Sequence, residues 1–250
     1  LLQGSGILPK AKYAGGKSML TDFFSFMDCW TPMIFASLSV AVALKTGLFN
    51  IGVSGQMLAA GFITTITVGY STLSAPIAKP LVILVAAVVG ALVGGLIGFL
   101  KYRFNINEVV SSIMLNYIIE YVVGFFINTR YVNPISRQSQ TVSSEARLTL
   151  SGTKIGDLKF DIPLGIILAV IVVIIVKYIF DRTVLGYELK AVGSNQKASR
   201  YAGIPVGKNM ILAMMISGLL AGLAGASYYL GYYASIQPKV LSSTGFDAID

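Results

Sequence analysis

Residues 80–100, PLVILVAAVVGALVGGLIGFL, decide the fold class of this chain. The stretch contains no charged side chain, and it begins with a proline, which is favoured in the first turn of a helix. A helix needs about 20 apolar residues to cross the roughly 30 Å hydrocarbon core of a bilayer. The stretch therefore predicts a membrane-spanning α-helix.

The composition of the whole chain extends this prediction. Of its 250 residues, 55% are hydrophobic and 12% are charged, whereas a soluble domain carries about 25% charged residues. The net charge is +8, with Lys and Arg scattered between apolar blocks, which is typical of basic loops between membrane helices rather than of a nucleic-acid surface. The chain has no histidine and one cysteine, Cys29, which we expect to be a small buried apolar residue. No disulfide framework, metal site or histidine-based catalysis is expected.

Apolar segments recur along the chain. They predict an all-α, polytopic membrane protein with about six transmembrane segments, one of them broken, in a single domain over residues 1–250. The predicted segments cover residues 23–44, 57–70, 80–100, 109–127, 161–180 and 210–229. The predicted polar connections are 1–22, 45–56, 71–79, 101–107, 129–159 and 181–208.

Small residues recur every fourth position in two of these segments. Gly90, Gly94 and Gly98 share one helix face, as do Gly218 and Gly222. This spacing lets helix backbones approach closely in a membrane, so it predicts helix packing.

Residues 50–56, NIGVSGQ, interrupt two short apolar runs. One interpretation is an ordinary cytoplasmic turn. The other is a broken helix at membrane depth, where irregular backbone is tolerated only if protein or a water-filled path surrounds it, as at many transport sites. The residues that would line such a path are Asn50, Gly52, Ser54, Gly55 and Gln56.

A carboxylate lies inside the segment at 109–127. Glu120 would be costly near the middle of a bilayer, so it is a candidate functional residue, although it could instead face a polar cavity passively or be protonated. Asn116 lies one helical turn earlier on the same face, and the two could share an inward surface.

Residues 194–205, SNQKASRYAGIP, predict a short helix in a polar loop. Ser194 or Asn195 can cap its start, Gly203 can adopt the left-handed conformation after its end, and Pro205 prevents continuation. Such an element is either a surface helix without a binding role or a docking site for a partner.

Residues 14–18, AGGKS, lack the first glycine of a phosphate-binding loop, so we expect any ATP to bind another subunit. Four tyrosines end the last segment and predict an interfacial aromatic belt: Tyr228, Tyr229, Tyr232 and Tyr233.

Three separated stretches also resemble one family. Residues 31–56, 107–117 (NEVVSSIMLNY) and 185–204 (LGYELKAVGSNQKASRYAGI) are similar to nucleoside-type ABC importer permeases, in the superfamily of ribose and branched-chain amino acid permeases. The resemblance implies a multi-pass subunit of the cell membrane that pairs with a second permease and receives solute from an extracellular lipoprotein. It implies no bond chemistry in this subunit, with ATP and Mg²⁺ on a cytoplasmic ATPase.

In that resemblance, the ATPase would dock on residues 186–204. The matching positions are Gly186, Glu188, Ala191, Gly193, Asn195, Arg200 and Gly203. Ser54 stands where the family often has an acidic residue, and Glu120 where an apolar one is expected. Family members carry further helices on both sides, so the chain resembles an internal fragment.

Two alternatives remain from the sequence. The same machine could carry ribose, another sugar or a branched-chain amino acid. The chain could instead be an ion-coupled secondary transporter, with Glu120 as the ion site.

Overall fold

A computed structural model describes residues 19–134, 137–155, 158–238 and 240–249, with residues 19–21, 149–155 and 158–163 as backbone only. Residues 14–18 and most of the predicted loop at 1–22 lie outside this part. Its helices, in chain order, are α1 (Met19–Lys45), α2 (Val53–Thr64), α3 (Ala75–Phe104), α4 (Glu108–Phe126), α5 (Leu164–Arg182), α6 (Val184–Ser194), α7 (Gln196–Tyr201), α8 (Val206–Ala226) and α9 (Ser243–Asp247). Two strands, β1 (Thr149–Ile155) and β2 (Leu158–Pro163), form an antiparallel hairpin between α4 and α5.

Five helices are long and apolar enough to cross a membrane: α1, α3, α4, α5 and α8. α2 is a shorter apolar helix, so the prediction of about six segments with one broken is confirmed. The outward faces of α3, α4 and α5 carry large apolar side chains, among them Leu92, Met114 and Ile174. These faces suit lipid, which confirms the polytopic helical class.

The bundle is built around α8, which packs against α1, α2 and α3. α3 and α8 meet through the glycines that the sequence singled out. A Cβ atom added at Gly94 would lie 2.2 Å from the carbonyl oxygen of Met214, and one at Gly222 would lie 2.1 Å from that of Ala86. The helix-packing prediction is confirmed, because no side chain fits between these backbones.

α2, α4 and α8 each end in a π-helical turn, at Thr65–Gly69, Ile127–Tyr131 and Ser227–Tyr232. The first and last of these turns touch each other, and Tyr131 of the second stacks on Tyr70, with ring centroids 5.8 Å apart. The three turns therefore lie together at one end of the bundle. α7 precedes α8 directly, so it lies at the opposite end.

The ends of α3 differ from the prediction. The helix begins at Ala75, because Pro76 occupies its first turn, where a missing N–H costs nothing, and does not form a turn before it. It continues to Phe104 and ends where Asn105 adopts a left-handed conformation (φ 53°), so the predicted loop at 101–107 is mostly helical. Lys101 Nζ then lies 2.8 Å from Glu108 Oε2, across the turn into α4.

Three further predictions are corrected. The polar connection at 129–159 contributes β1 and part of β2, so the chain is not purely helical and α5 begins at Leu164 rather than at 161. The connection at 181–208 contains α6 in addition to the expected short helix. Cys29 is exposed rather than buried, because α1 turns this position outward beside Trp30, which is itself half exposed.

Candidate functional site

The segment between α1 and α2 is irregular and buried. Asn50, Ser54 and Gln56 have no exposed surface. Asn50 Nδ2 donates to Gln56 Oε1 and to Ser217 Oγ, both at 2.9 Å. Asn50 Oδ1 accepts from the backbone N–H of Gly52, also at 2.9 Å. The side chain of Asn50 thus forms hydrogen bonds that hold the turn leading into α2.

Two serines complete this group. Ser39 Oγ donates to the carbonyl oxygen of Ser217 at 2.7 Å, and Ser217 Oγ donates to that of Ser39 at 2.8 Å. We call Ser39, Asn50, Gln56 and Ser217 the polar cluster. At 1.5 Å per residue, Ser39 lies about 9 Å from the end of α1 and Ser217 about 16 Å from the start of α8. The polar cluster therefore lies inside the bundle, which confirms the broken-helix interpretation over the ordinary turn.

Asn116 reaches this segment from α4. Its Oδ1 accepts from the N–H of Gly55 at 3.0 Å, and its Nδ2 donates to the carbonyl oxygen of Ile51 at 3.1 Å. Gly55 is the third residue of α2, and its N–H has no acceptor within the helix. Asn116 thus caps α2 from a neighbouring helix, and only glycine fits at 55, because a Cβ there would lie 2.5 Å from Asn116 Oδ1.

We expect Asn116→Ala to lower the free energy of unfolding by about 2 kcal/mol, because it leaves a buried N–H and a buried carbonyl without partners. Thermal unfolding of the detergent-purified protein measures this. Met114→Ala, at a 63% exposed position of the same helix, is the control and should stay near wild type. Equal melting temperatures for both variants would contradict the capping role.

Ser54 is also held by the protein. Its Oγ donates to the carbonyl oxygen of Ser242 at 3.0 Å. Gly245 in α9 lies directly against it, since a Cβ at Gly245 would lie 2.3 Å from Ser54 Oγ. α9 therefore covers the start of α2.

Glu120 does not join the polar cluster. Asn116 is 3% exposed, whereas Glu120 is only partly buried, and within the described part of the chain no hydrogen bond or ion pair reaches its carboxylate. Val123, Gly124 and Ile127 lie further along the same face of α4 and are buried, so that face continues into the bundle, with Glu120 partly buried on it. The shared inward surface of Asn116 and Glu120 stays a prediction. Whether Glu120 contacts a solute stays a prediction.

The segment at 183–205 forms two capped helices. Asn195 Oδ1 accepts from the N–H groups of Lys197 and Ala198 at 3.0 and 3.1 Å, so Asn195 rather than Ser194 caps α7. Gly203 adopts the left-handed conformation (φ +80°) that ends the helix. Both features confirm the punctuation expected from the sequence.

Two glycines fix α6 against the membrane helices. A Cβ at Gly186 would lie 2.2 Å from the carbonyl oxygen of Ile179 in α5. A Cβ at Gly193 would lie 2.3 Å from that of Lys45, at the end of α1. Gly193 also touches Gly47 (φ +70°) in the segment that leads to the polar cluster. α6 is therefore in backbone contact with both α1 and α5.

The other predicted coupling residues divide into anchored and exposed positions. Glu188 Oε2 accepts from Asn209 Nδ2 at 2.9 Å, which ties α6 to α8. Ala191 lines a shallow groove between α6 and α7. Arg200 is exposed, and Tyr201 beside it is 93% exposed. Val184 and Tyr187 in the same segment are 74% and 68% exposed, and exposed aromatic residues of this kind are enriched in surfaces that bind another protein.

Sequence reasoning missed Ser39, Ser217 and Gly47. Ser39 and Ser217 each lie within an apolar run, and a hydroxyl within a membrane helix needs a partner, which was the available signal. Gly47 gave no signal of its own, because its role depends on the position of Gly193.

Comparison with known proteins shows which family the chain resembles. The family model described as "Branched-chain amino acid transport system / permease component" matches residues 23–249. The chain is 39% identical over 222 residues to the guanosine ABC transporter permease protein NupP of Bacillus subtilis, covering 88% of the chain and 63% of that protein. It is 38% identical over 208 residues to the nucleoside ABC transporter permease protein NupB of Lactococcus lactis, covering 80% and 57%.

A third relative is named for a different solute. The glucose ABC transporter permease protein TsgB13 of Haloferax volcanii is 30% identical over 225 residues, which cover 87% of the chain and 59% of that protein. The chain thus spans about 60% of the length of these relatives. No solved structure gives a significant match.

Proposed function

The chain belongs to the branched-chain amino acid transport system permease family, and from this we propose that it acts in the cell membrane as the permease subunit of an ATP-driven nucleoside importer. The observation that carries the solute class is the order of similarity. Relatives named for guanosine and for nucleosides are 39% and 38% identical, whereas the relative named for glucose is 30% identical. A site that hydrogen-bonds one class of solute rejects solutes that leave its polar groups unpaired. Close relatives tend to keep the residues of such a site, and they therefore tend to carry the same class of solute.

In the proposed assembly, a cytoplasmic ATPase binds ATP and Mg²⁺ and docks on α6 and α7. The exposed side chains of Arg200 and Tyr201 support this surface, together with the backbone contacts of Gly186 and Gly193. A second permease and an extracellular substrate-binding lipoprotein complete the importer. This subunit itself carries out no bond chemistry.

In this proposal, the polar cluster holds the start of α2 in position beside the path of the solute. The path for the solute would pass beside α2, whose irregular start is held by Asn50 and Asn116. Movement of α6 would reach that start through Gly193 and Gly47. Irregular backbone next to a transport path can change conformation at lower cost than a continuous helix.

Uptake of labelled guanosine tests the solute class, with ribose and leucine as controls, in cells with and without the intact gene. We expect deletion to abolish nucleoside uptake alone. Loss of ribose or leucine uptake, with normal guanosine uptake, would contradict the solute class and assign the same machine to another solute.

Arg200→Glu tests the docking surface. We expect the variant to reach the membrane at wild-type levels, because substitutions at exposed positions change stability by about 0.5 kcal/mol or less. Its ATPase subunit should no longer co-purify, since charge reversal at an interface opposes association. Arg200→Lys keeps the charge and is the control. Normal co-purification and uptake in Arg200→Glu would remove Arg200 from the docking surface.

A further inference from the structure

A small pocket lies at the end of α8 remote from α7. Its volume is about 210 Å³. It is lined by Tyr228, Tyr229, Tyr233, Ser235, Gln237, Val240, Leu241, Ser242 and Ser243. These residues come from the π-helical turn of α8 and from the chain between that turn and α9. The pocket is below the roughly 300–1,000 Å³ typical of sites for drug-sized ligands, so it suits a small ligand or one part of a larger one.

The four tyrosines at this end of α8 are not all interfacial. Tyr232 and Tyr233 are 41% and 50% exposed, as expected for an aromatic belt, but Tyr229 is 4% exposed. Its ring is fixed against α2, because a Cβ at Gly61 would lie 2.3 Å from Tyr229 Cδ2. The aromatic-belt prediction is therefore wrong for Tyr229, which belongs to the packed interior.

The hydroxyl of Tyr229 is buried, and it has no hydrogen-bond partner within the described part of the chain. Leaving such a group unsatisfied is costly, and natural proteins contain few of them. Tyr229 is one of the lining residues, so the wall of the pocket includes a side chain whose polar group the described part of the protein does not satisfy.

The chemistry of the lining narrows the class of ligand. The rings of Tyr228 and Tyr233 lie 4.8 Å apart between centroids, and those of Tyr228 and Tyr229 lie 4.9 Å apart in an edge-to-face arrangement. Three polar residues line the same pocket: Ser235, whose hydroxyl donates to Gln138 Oε1 at 2.9 Å, Gln237 and Ser243. The described lining residues are tyrosines, small polar residues and aliphatic residues. Tyrosine faces with a polar rim suit a planar heteroaromatic ring with hydrogen-bonding edges.

The pocket is also connected to the irregular start of α2. Ser242, which lines it, accepts the hydrogen bond from Ser54 Oγ, and Gly245 three residues later packs on Ser54. A ligand that orders this wall would therefore act directly on the first turn of α2.

We propose that this pocket binds the base of the nucleoside during translocation, with Tyr228 as the stacking residue and Gln237 reading the edge of the base. The proposal rests on the proposed function. With α6 and α7 on the cytoplasmic side, the pocket lies on the extracellular side, where an imported solute enters.

The first experiment uses the complete transporter in cells, with labelled guanosine well below the concentration that half-saturates wild-type uptake, where the rate reports binding. We expect Tyr228→Ala to lower the uptake rate by about tenfold, which corresponds to the loss of one base–aromatic stack. Tyr228→Phe keeps the ring and should retain most of the rate. Tyr232→Ala removes a neighbouring tyrosine that does not line the pocket and should stay near wild type. If Tyr228→Ala inserts poorly, Gln237→Ala replaces it, with the same direction expected.

A second experiment reports occupancy without relying on the transport rate. Ser243 is exposed and lines the pocket, so Ser243→Cys in a Cys29→Ser background places a reactive thiol there, and labelling is measured against the same background without Ser243→Cys. We expect excess guanosine to slow its labelling by a membrane-impermeant maleimide, whereas leucine should not.

The outcomes separate the two proposals. Absence of guanosine uptake by the wild-type transporter would overturn the proposed function, and with it the base as ligand. If wild-type uptake is normal, guanosine does not slow the labelling of Ser243→Cys, and Tyr228→Ala takes up guanosine as fast as Tyr232→Ala, the pocket is not the site of the base. The proposed function would then still stand.

Discussion

Gly94→Ala is expected to destabilise the bundle by about 3 kcal/mol, at the upper end of the range for overpacking a core. The new Cβ would lie 2.2 Å from the carbonyl oxygen of Met214 and 2.8 Å from the Cα of Gly218. Both are backbone atoms, so no rotamer change relieves the clash, and α3 and α8 must move apart. Because α8 packs against α1 and α2 as well, the separation would disturb the centre of the bundle. The measurement is the melting temperature of the purified protein, together with its yield from membranes.

The adjacent glycine supplies the control. A Cβ at Gly95 would lie 2.8 Å from Cγ of Met215, which is a flexible side chain that can move away. Since alanine favours a helix over glycine by about 1 kcal/mol, Gly95→Ala should be neutral or slightly stabilising. A Gly94→Ala variant as stable as Gly95→Ala would contradict the close packing of α3 and α8.

Gly193→Ala is expected to reduce nucleoside uptake by roughly tenfold while the ATPase subunit still binds. The added Cβ would lie 2.3 Å from the carbonyl oxygen of Lys45 and 3.0 Å from the backbone N of Gly47. α6 must then shift away from the segment that leads to Asn50. The exposed surface of α7 is unchanged, so docking should survive while transmission of ATPase movement is lost. The two readouts are guanosine uptake and co-purification of the ATPase subunit.

Ser194→Ala is the matched control, one residue further along the same helix at an exposed position. It should retain both uptake and ATPase binding. Wild-type uptake in Gly193→Ala would exclude the contact with Lys45 as the route of coupling. Loss of ATPase binding in that variant would place Gly193 in the docking surface instead.

Local patterns predicted much of this fold. The spacing of the glycines predicted a packing face on α3 and another on α8, because small residues at every fourth position act through the geometry of a single helix. That these two faces meet each other was seen only in the structure. The caps of α7 at Asn195 and Gly203 were readable for the same reason, since each satisfies backbone groups only a few residues away.

Contacts between distant segments could not be read in this way. Asn116 caps α2 from 61 residues away, and Ser217 bonds to Asn50 from 167 residues away. Sequence reasoning paired Asn116 with Glu120 instead, because both lie on one face by helical spacing. Helical spacing could not show that Asn116, and not Glu120, forms the hydrogen bonds to the start of α2.

Burial was the other source of error. Cys29 was expected inside the protein and Tyr229 at the membrane interface, and the structure reverses both. In a membrane protein the lipid-facing and protein-facing sides are both apolar, so hydropathy alone does not distinguish them. The glycine at 61, which admits the ring of Tyr229, became informative only when α2 and α8 were seen together.

The energy source of transport is the most direct test of the central claim. The complete transporter in proteoliposomes would be supplied with labelled guanosine, with and without ATP at the ATPase side, before and after ionophores collapse the ion gradients. We expect uptake that requires ATP, is insensitive to the ionophores, and persists near wild-type rates in Glu120→Gln. Uptake that is driven by an ion gradient without ATP, and is lost in Glu120→Gln, would contradict the account and identify a secondary transporter.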